Sequence, residues 1–311
     1  MKQCIICGTL LDDNETVCRQ CGFLNMMFFL SEKQYESWLR EAVEPYRREH
    51  EQEKADSNTV DGMIFWEYSQ DRTILIFRGE GSLDREITEA IPEEELVQTI
   101  VVEHGIYAIG NLAFHDYDNL KSVILPDDLQ SIGDSAFSGC RNLEFIALPD
   151  SLESIDEDAF YGCLRLKQMV LPDHMQQIGD GAFHYCESLK HMQLPEGLQY
   201  VGDETFYGCI SLEQITLPDS LQAMGKQAFY GCEKLEQICF PCKLQSIGSS
   251  AFLECGSLKN IVFTGDIPGI QEYAFLGVDA TAHYPSSWKT VPASDACGGQ
   301  LTWVPQDEIK A

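Results

Sequence analysis

The 311-residue chain has an ordinary hydrophobic content of 44% and charged content of 23%, but 50 acidic residues outweigh 21 basic ones and leave a net charge of −29. A field of that sign repels phosphate backbones and anionic lipid headgroups, so nucleic acid is not an expected partner. No apolar run approaches the roughly 20 residues that a membrane span requires.

Residues 1–25 hold two C-x-x-C-G knuckles, Cys4-Ile5-Ile6-Cys7-Gly8 and Cys18-Arg19-Gln20-Cys21-Gly22, with ten residues between them. Four thiolates in two close pairs suit tetrahedral zinc, and the glycine after each second cysteine lets the backbone turn tightly around a metal. Cys4, Cys7, Cys18 and Cys21 are therefore expected to bind one structural zinc, with rubredoxin-like iron as the alternative. A segment this short cannot hold a core without the metal. It resembles the short zinc ribbons at the N-termini of many prokaryotic proteins, a likeness that implies an accessory docking module and names no partner. The first eleven residues carry one lysine and a broken apolar run that meets Asp12 and Asp13. An export signal needs a longer apolar core, so the expected address is the cytoplasm, with surface display as the alternative.

Residues 26–58 read as an amphipathic helix and linker. Ser31 and Gln34 have capping-box spacing, and Tyr35, Trp38, Leu39, Ala42, Val43 and Tyr46 form one apolar stripe. Pro45 kinks or ends the helix. The stripe is expected to pack against the ribbon or against the next unit, and a dimer or partner contact is the alternative.

From residue 105 onward the chain repeats. An Ala-Phe pair at 113–114 recurs at 136–137, 159–160, 182–183, 228–229, 251–252 and 274–275, with Thr205-Phe206 completing the series, and every step is 23 residues. Isoleucine or its substitutes (Ile109 to Ile270), cysteine (Cys140 to Cys255), leucine (Leu120 to Leu258) and a Leu-Pro pair keep the same step. One unit cannot bury these residues alone, whereas stacked units bury them as columns, with strands roughly 4.8 Å apart. The spacing predicts a β-rich repeat solenoid, a leucine-rich-repeat array over residues 105–278, with an N-terminal cap over 59–104 and a C-terminal cap over 279–311.

The unit I-G-x-x-A-F-x-x-C-x-x-L-x-x-I-x-L-P-D resembles the BspA-type leucine-rich repeat of many bacterial and protozoan proteins. The segments around Trp66 to Gly81 and Ala282 to Trp303 resemble the strands that open and close such arrays. The resemblance implies a surface adhesion or interaction module, and since no export signal is expected from the first residues, an adhesin role is not the first expectation.

The cysteine column is expected to be core, because stacked parallel side chains have the wrong torsion for disulfides and a thiol packs as a small hydrophobe. A polar column, Gln130, Glu153, Gln176, Gln199, Gln222 and Gln245, is expected to link amide to amide. Outward strand positions form the usual binding surface of such arrays. One row there is Ser122, Phe145, Gln168, His191, Gln214, Gln237 and Asn260, and the next runs from Ile124 to Val262. A third row, His115, Ser138, Tyr161, His184, Tyr207 and Tyr230, follows the Ala-Phe pair. It is either a packed corner that recurs with the repeat or an aromatic strip for a peptide or glycan. No nucleophile is paired with a histidine at recognisable spacing, and Gly79-Glu80-Gly81 lacks the lysine of a phosphate loop. The function expected is a non-catalytic scaffold for a protein or peptide, with an exported adhesin for host protein or glycan as the alternative.

Overall fold

A computed structural model describes residues 64–91, 94–292 and 297–306, together with the backbone of two short strands, Lys2–Gln3 and Leu10–Leu11. The chain divides into two compact units, residues 1–58 and 59–311. In the first, Lys2 pairs with Leu11 and Gln3 with Leu10 in antiparallel register. Cys4, Cys7, Cys18 and Cys21 and the helix expected over 26–58 lie outside the described residues.

The second unit is a β-solenoid whose turns repeat the 23-residue step. Each turn passes through three walls. The front wall carries the L-x-x-L-x-L segments. Its parallel strands include Thr99–Val102, Ser122–Ile124 and Phe145–Ala147, then His191–Gln193 and Gln214–Thr216, then Gln237–Phe240 and Asn260–Phe263. The ladder narrows to a single bridge, Gln168 with His191, in the middle of the array. The strand centres there are Met169 and Met192, where neighbouring turns have Ile146 and Ile215. Unbranched side chains fit a pleated surface less well than β-branched ones. The second wall is a run of short strands such as Ser131–Ile132, Ser154–Ile155 and Gln177–Ile178, ended by glycine or its replacement.

The third wall has no strands but satisfies its backbone just as fully. There an N–H donates forward to a carbonyl of the next turn, as from Phe114 to Ala136, Phe137 to Ala159 and Phe160 to Ala182, at 2.8–2.9 Å. In the second wall the bond runs the other way, from Glu153 N–H back to Gln130 O at 2.8 Å. Buried backbone must be paired somewhere, and these two directions are joined by bonds within a turn, such as Ala136 N–H to Gly133 O at 3.2 Å and Cys140 N–H to Phe137 O at 3.2 Å. The third wall turns through two left-handed positions per unit. One is occupied by Ser135, Asp158, Gly181 and Glu204, and the other by Gly139, Gly162, Tyr185, Gly208 and Gly231, all with φ between 52° and 77°.

The core follows from this stacking. Phe114, Phe137, Phe160, Phe183, Phe206, Phe229, Phe252 and Phe275 are fully buried and form one ladder of rings, with centroids 5.2–5.8 Å apart and planes within 23° of parallel. The six column cysteines are fully buried thiols. Each donates to a phenylalanine carbonyl of the preceding turn, as Cys186 Sγ does to Phe160 O at 3.3 Å and Cys255 Sγ to Phe229 O at 3.0 Å. At the N-terminal end Phe65–Tyr68 pairs antiparallel with Ile74–Arg78. At the C-terminal end the parallel pair Asp279–Tyr284 and Gln300–Pro305 carries Trp303 onto Phe263, and Trp288 donates from its ring nitrogen to Gly265 O at 2.8 Å. Solenoids need such caps because a bare end would leave core in water.

Candidate binding surfaces

The front wall alternates as a half-buried strand must. Val123, Ile146, Met169, Met192, Ile215, Ile238 and Ile261 point inward and are buried. Phe145, Gln168, His191, Gln214 and Gln237 point outward and are half-buried, and Asn260 is exposed. The structure thus brings the predicted row together on one face, with His191 in register with Gln214 and Gln237 with Asn260. The N-terminal end of the row departs from the expectation. Ser122 and Ile124 are buried, because each is flanked by strands on both sides and Ser122 Oγ lies 3.0 Å from Thr99 Oγ1.

This face is not purely polar. The Lys167 ammonium sits 5.9 Å from the Phe145 ring centroid and pairs with Glu144 at 2.6 Å. The pair holds the Glu144 carboxyl below its usual range. Burial pushes the His191 imidazole down, so at neutral pH its ring is uncharged. Val170, next to the weakened ladder, is 54% exposed.

The third wall holds the other predicted set. Tyr161, His184, Tyr207 and Tyr230 follow one another in contact, with centroids 4.9, 4.5 and 4.5 Å apart; the first pair meets edge to face, the second is tilted and the third is stacked. One residue that the period does not supply joins them. Tyr185 stands, at φ 57°, in a left-handed column that is glycine at Gly139, Gly162, Gly208, Gly231 and Gly277 and is also held by Asp116 and Glu254 near the two ends of the array. Its ring lies 4.5 Å from His184, 5.9 Å from Tyr161 and 5.5 Å from Tyr207. A bulky residue at positive φ is uncommon and strained. The signal was present in the sequence as an aromatic residue between the glycines of the two preceding and two following turns. His184 is the hub of the cluster: its side chain is 13% exposed, with Nδ1 3.7 Å from Glu204 Oε2. Burial pushes its pKa down to about 4. Burial and the neighbouring Tyr185 and Tyr230 push Tyr207 up to about 12.

The glutamine column makes one amide-to-amide link, Gln222 Nε2 to Gln199 Oε1 at 3.2 Å. Burial drives the thiols of Cys140, Cys163, Cys186, Cys209 and Cys232 upward, Cys163, Cys186 and Cys232 well above the ordinary value. Their burial makes them part of the core. Among the described residues, no group of His, Cys, Asp and Glu could hold a metal, and no helix is long and apolar enough to cross a membrane.

The repeat and its geometry can be set beside known proteins. The family model described as BspA type leucine rich repeat region (six copies) matches residues 89–172 and 153–281, well over half of the chain. The chain belongs to the BspA-type leucine-rich repeat family. The solenoid is similar to a leucine rich cell surface protein of Faecalibacterium prausnitzii, with 25% identity, a TM-score of 0.53, and 73% of this chain and 70% of that one covered. It is also similar in fold to a leucine-rich repeat protein of Bacteroides ovatus, with 22% identity, a TM-score of 0.50, and coverage of 82% and 80%. A leucine-rich repeat protein of T. pallidum matches at 26% identity over 65% of this chain and 91% of that one, with a TM-score of 0.49. No curated protein matches the chain.

Proposed function

We propose that this BspA-type chain is a non-catalytic scaffold that binds a protein or peptide on its front strand wall. The observation that carries the reading is a continuous outward row, Phe145, Gln168, His191, Gln214 and Gln237, which is half-exposed and without formal charge on a chain of net charge −29. Amides and imidazole offer both donors and acceptors there, and solenoid strand faces commonly serve as extended contact surfaces. Once a partner is captured from the native host, Phe145→Ala combined with His191→Ala should weaken it at least tenfold while leaving the melting temperature nearly unchanged. Unchanged affinity would remove the strand wall from consideration.

The zinc ribbon forms the second half of the proposal. Cys4, Cys7, Cys18 and Cys21 would hold one structural zinc with no open coordination position, making residues 1–25 an accessory docking module. Support comes from ligand type and spacing, and from the antiparallel pairing of Lys2–Gln3 with Leu10–Leu11 on either side of the first knuckle. Elemental analysis of protein purified without added metal should find one zinc per chain. Iron, or no metal in reduced protein, would defeat the assignment.

Placement in the cytoplasm was the first expectation. The likeness to a protein described as a leucine rich cell surface protein favours a second reading, display at the cell surface with host protein or glycan as ligand. Protease treatment of intact native cells separates the two, since only a displayed solenoid would be cleaved.

A further inference from the structure

The aromatic cluster of the third wall is a departure from the repeat, and that is what makes it informative. A column such as Phe114 to Phe275 recurs because each turn must fill the same space. Tyr185 cannot be explained that way, because its column is glycine in the two preceding and two following turns. The left-handed backbone strains a tyrosine in a way that glycine does not incur. The ring also needs room beside it: a Cβ added at Gly208 would sit 2.5 Å from Tyr185 Cδ1. Two residues are thus fitted to one ring that does not enter the core. Tyr185 is 38% exposed and Tyr161 is 37% exposed. Tyr185 stands nearly perpendicular to Tyr161 and to Tyr207, at 80° and 82°. The result is an open corner walled by aromatic rings.

The charge around this corner is predominantly negative. Asp158 lies in the same wall, and after burial the groups that push its carboxyl upward are Glu157, Glu204, Asp134 and Asp180. Glu204 reaches His184 at 3.7 Å, and Glu254 hydrogen-bonds Tyr230. His184 is neutral at physiological pH, so it neither offsets these carboxylates nor repels a cation. Lys226 closes the row of Asp134, Glu157, Asp180 and Asp203 at its far end.

Aromatic faces attract cations through the ring quadrupole, best within about 6 Å of the centroid. A guanidinium is planar, weakly hydrated and stacks on such faces more readily than an ammonium. We infer that the corner formed by Tyr161, Tyr185 and Tyr207, backed by Glu204, is a docking site for arginine side chains of a basic segment in a protein partner. The site lies on a different wall from the strand face proposed above and stands or falls without it.

The test uses the full chain and a fluorescent peptide of alternating glycine and arginine, with anisotropy read at physiological salt so that diffuse attraction to the acidic surface is screened. Parent protein should bind this peptide more tightly than its lysine counterpart, and the neutral citrulline counterpart only weakly. Tyr161→Ser combined with Tyr185→Gly should raise the Kd about tenfold or more. Tyr185→Gly restores the glycine of the column, so the fold is retained. Glu204→Gln should raise the Kd several-fold; Gln227 already occupies the equivalent left-handed position one turn on, at φ 54°. Phe145→Ala with His191→Ala should leave the Kd unchanged, which separates failure of this site from failure of the strand wall. The inference is overturned if the parent does not bind the arginine peptide, if the double tyrosine variant binds it equally well, or if the citrulline peptide binds as tightly. In the last case the rings stack neutral planar groups and a glycan becomes the better occupant.

Discussion

Two aromatic ladders run along this solenoid, one inside and one outside, and they obey different rules. The inner ladder has a phenylalanine in every turn from Phe114 to Phe275, all fully buried and nearly parallel from Phe137 onward. The outer ladder is aromatic without interruption only from Tyr161 to Tyr230. Its preceding positions are His115 and Ser138, and its following ones are Leu253 and Leu276. A missing inner ring would open a cavity between turns, so stacking alone dictates the residue there. No such demand acts on the outer column. What is concentrated there, above all Tyr185 between glycines, is not demanded by the stacking of turns.

The largest expected effect tests the first half of that contrast. Phe160 is fully buried, with its ring 5.4 Å from Phe137 and 5.8 Å from Phe183. Phe160→Ala should cost about 3–5 kcal/mol, lost transfer energy plus a cavity that neighbouring turns cannot close. The adjacent Tyr161 faces outward, and Tyr161→Ala should cost less than about 1 kcal/mol, as surface changes usually do. Urea denaturation of both variants measures the difference. Equal losses would mean that the outer ring is also a packing element, and the comparison would collapse.

The inner ladder was legible in the sequence, and the outer one only in part. Ala-Phe, cysteine and leucine columns are visible because stacking forces like residues into register, and their burial follows from the same cause. Lateral cover is not encoded in a period. Ser122 and Ile124 occupy outward strand positions yet are buried, since exposure there depends on which side chains lie in the turns above and below. The glutamine column was readable as a column, but a single amide link, Gln222 to Gln199, forms in it. The strip Tyr161, His184, Tyr207 and Tyr230 could be listed from spacing. Its contact with Tyr185 could not, because that contact depends on a left-handed backbone that tyrosine rarely adopts.

A middle-sized effect concerns His184, where the outer ladder is deepest. Its pKa in the folded chain is about 4, against about 6.5 when unfolded. Between those values the unfolded chain binds a proton that the native chain refuses. Stability therefore falls as pH drops from about 6.5 towards 4, and the contribution is fully present only above that window. The loss should be about 1–3 kcal/mol, moderated by Glu204, whose carboxylate 3.7 Å away favours the charged ring. Asp156 and Asp158 act in the opposite direction, because burial raises their carboxyls and a raised carboxyl gains stability as pH falls. The clean measurement is the difference in unfolding free energy between parent and His184→Asn at pH 7 and pH 5. The gap should change in the variant's favour at pH 5. A gap that stays constant would mean that His184 titrates as an exposed histidine, and that the hub of the outer ladder is open to water.

The smallest effect is the most discriminating. Gly162→Ala and Tyr185→Gly exchange opposite features of one column. At Gly162, φ is 69° and the nearest atoms to an added Cβ lie at 3.9–4.0 Å, so space is available and only backbone strain opposes the change. That substitution should cost about 1 kcal/mol. Tyr185→Gly releases a strain of the same order. It also loses ring contacts worth about 0.5–1.5 kcal/mol and adds unfolded-state entropy worth about 0.4–1 kcal/mol. These terms nearly cancel, and the variant should lie within about 1 kcal/mol of the parent in equilibrium denaturation. A loss of 2 kcal/mol or more would show that the ring contributes to stability in its own right. A near-zero change leaves Tyr185 as a strained, exposed aromatic whose presence packing does not explain, and it is then the outer ladder's clearest mark of selection for contact with another molecule.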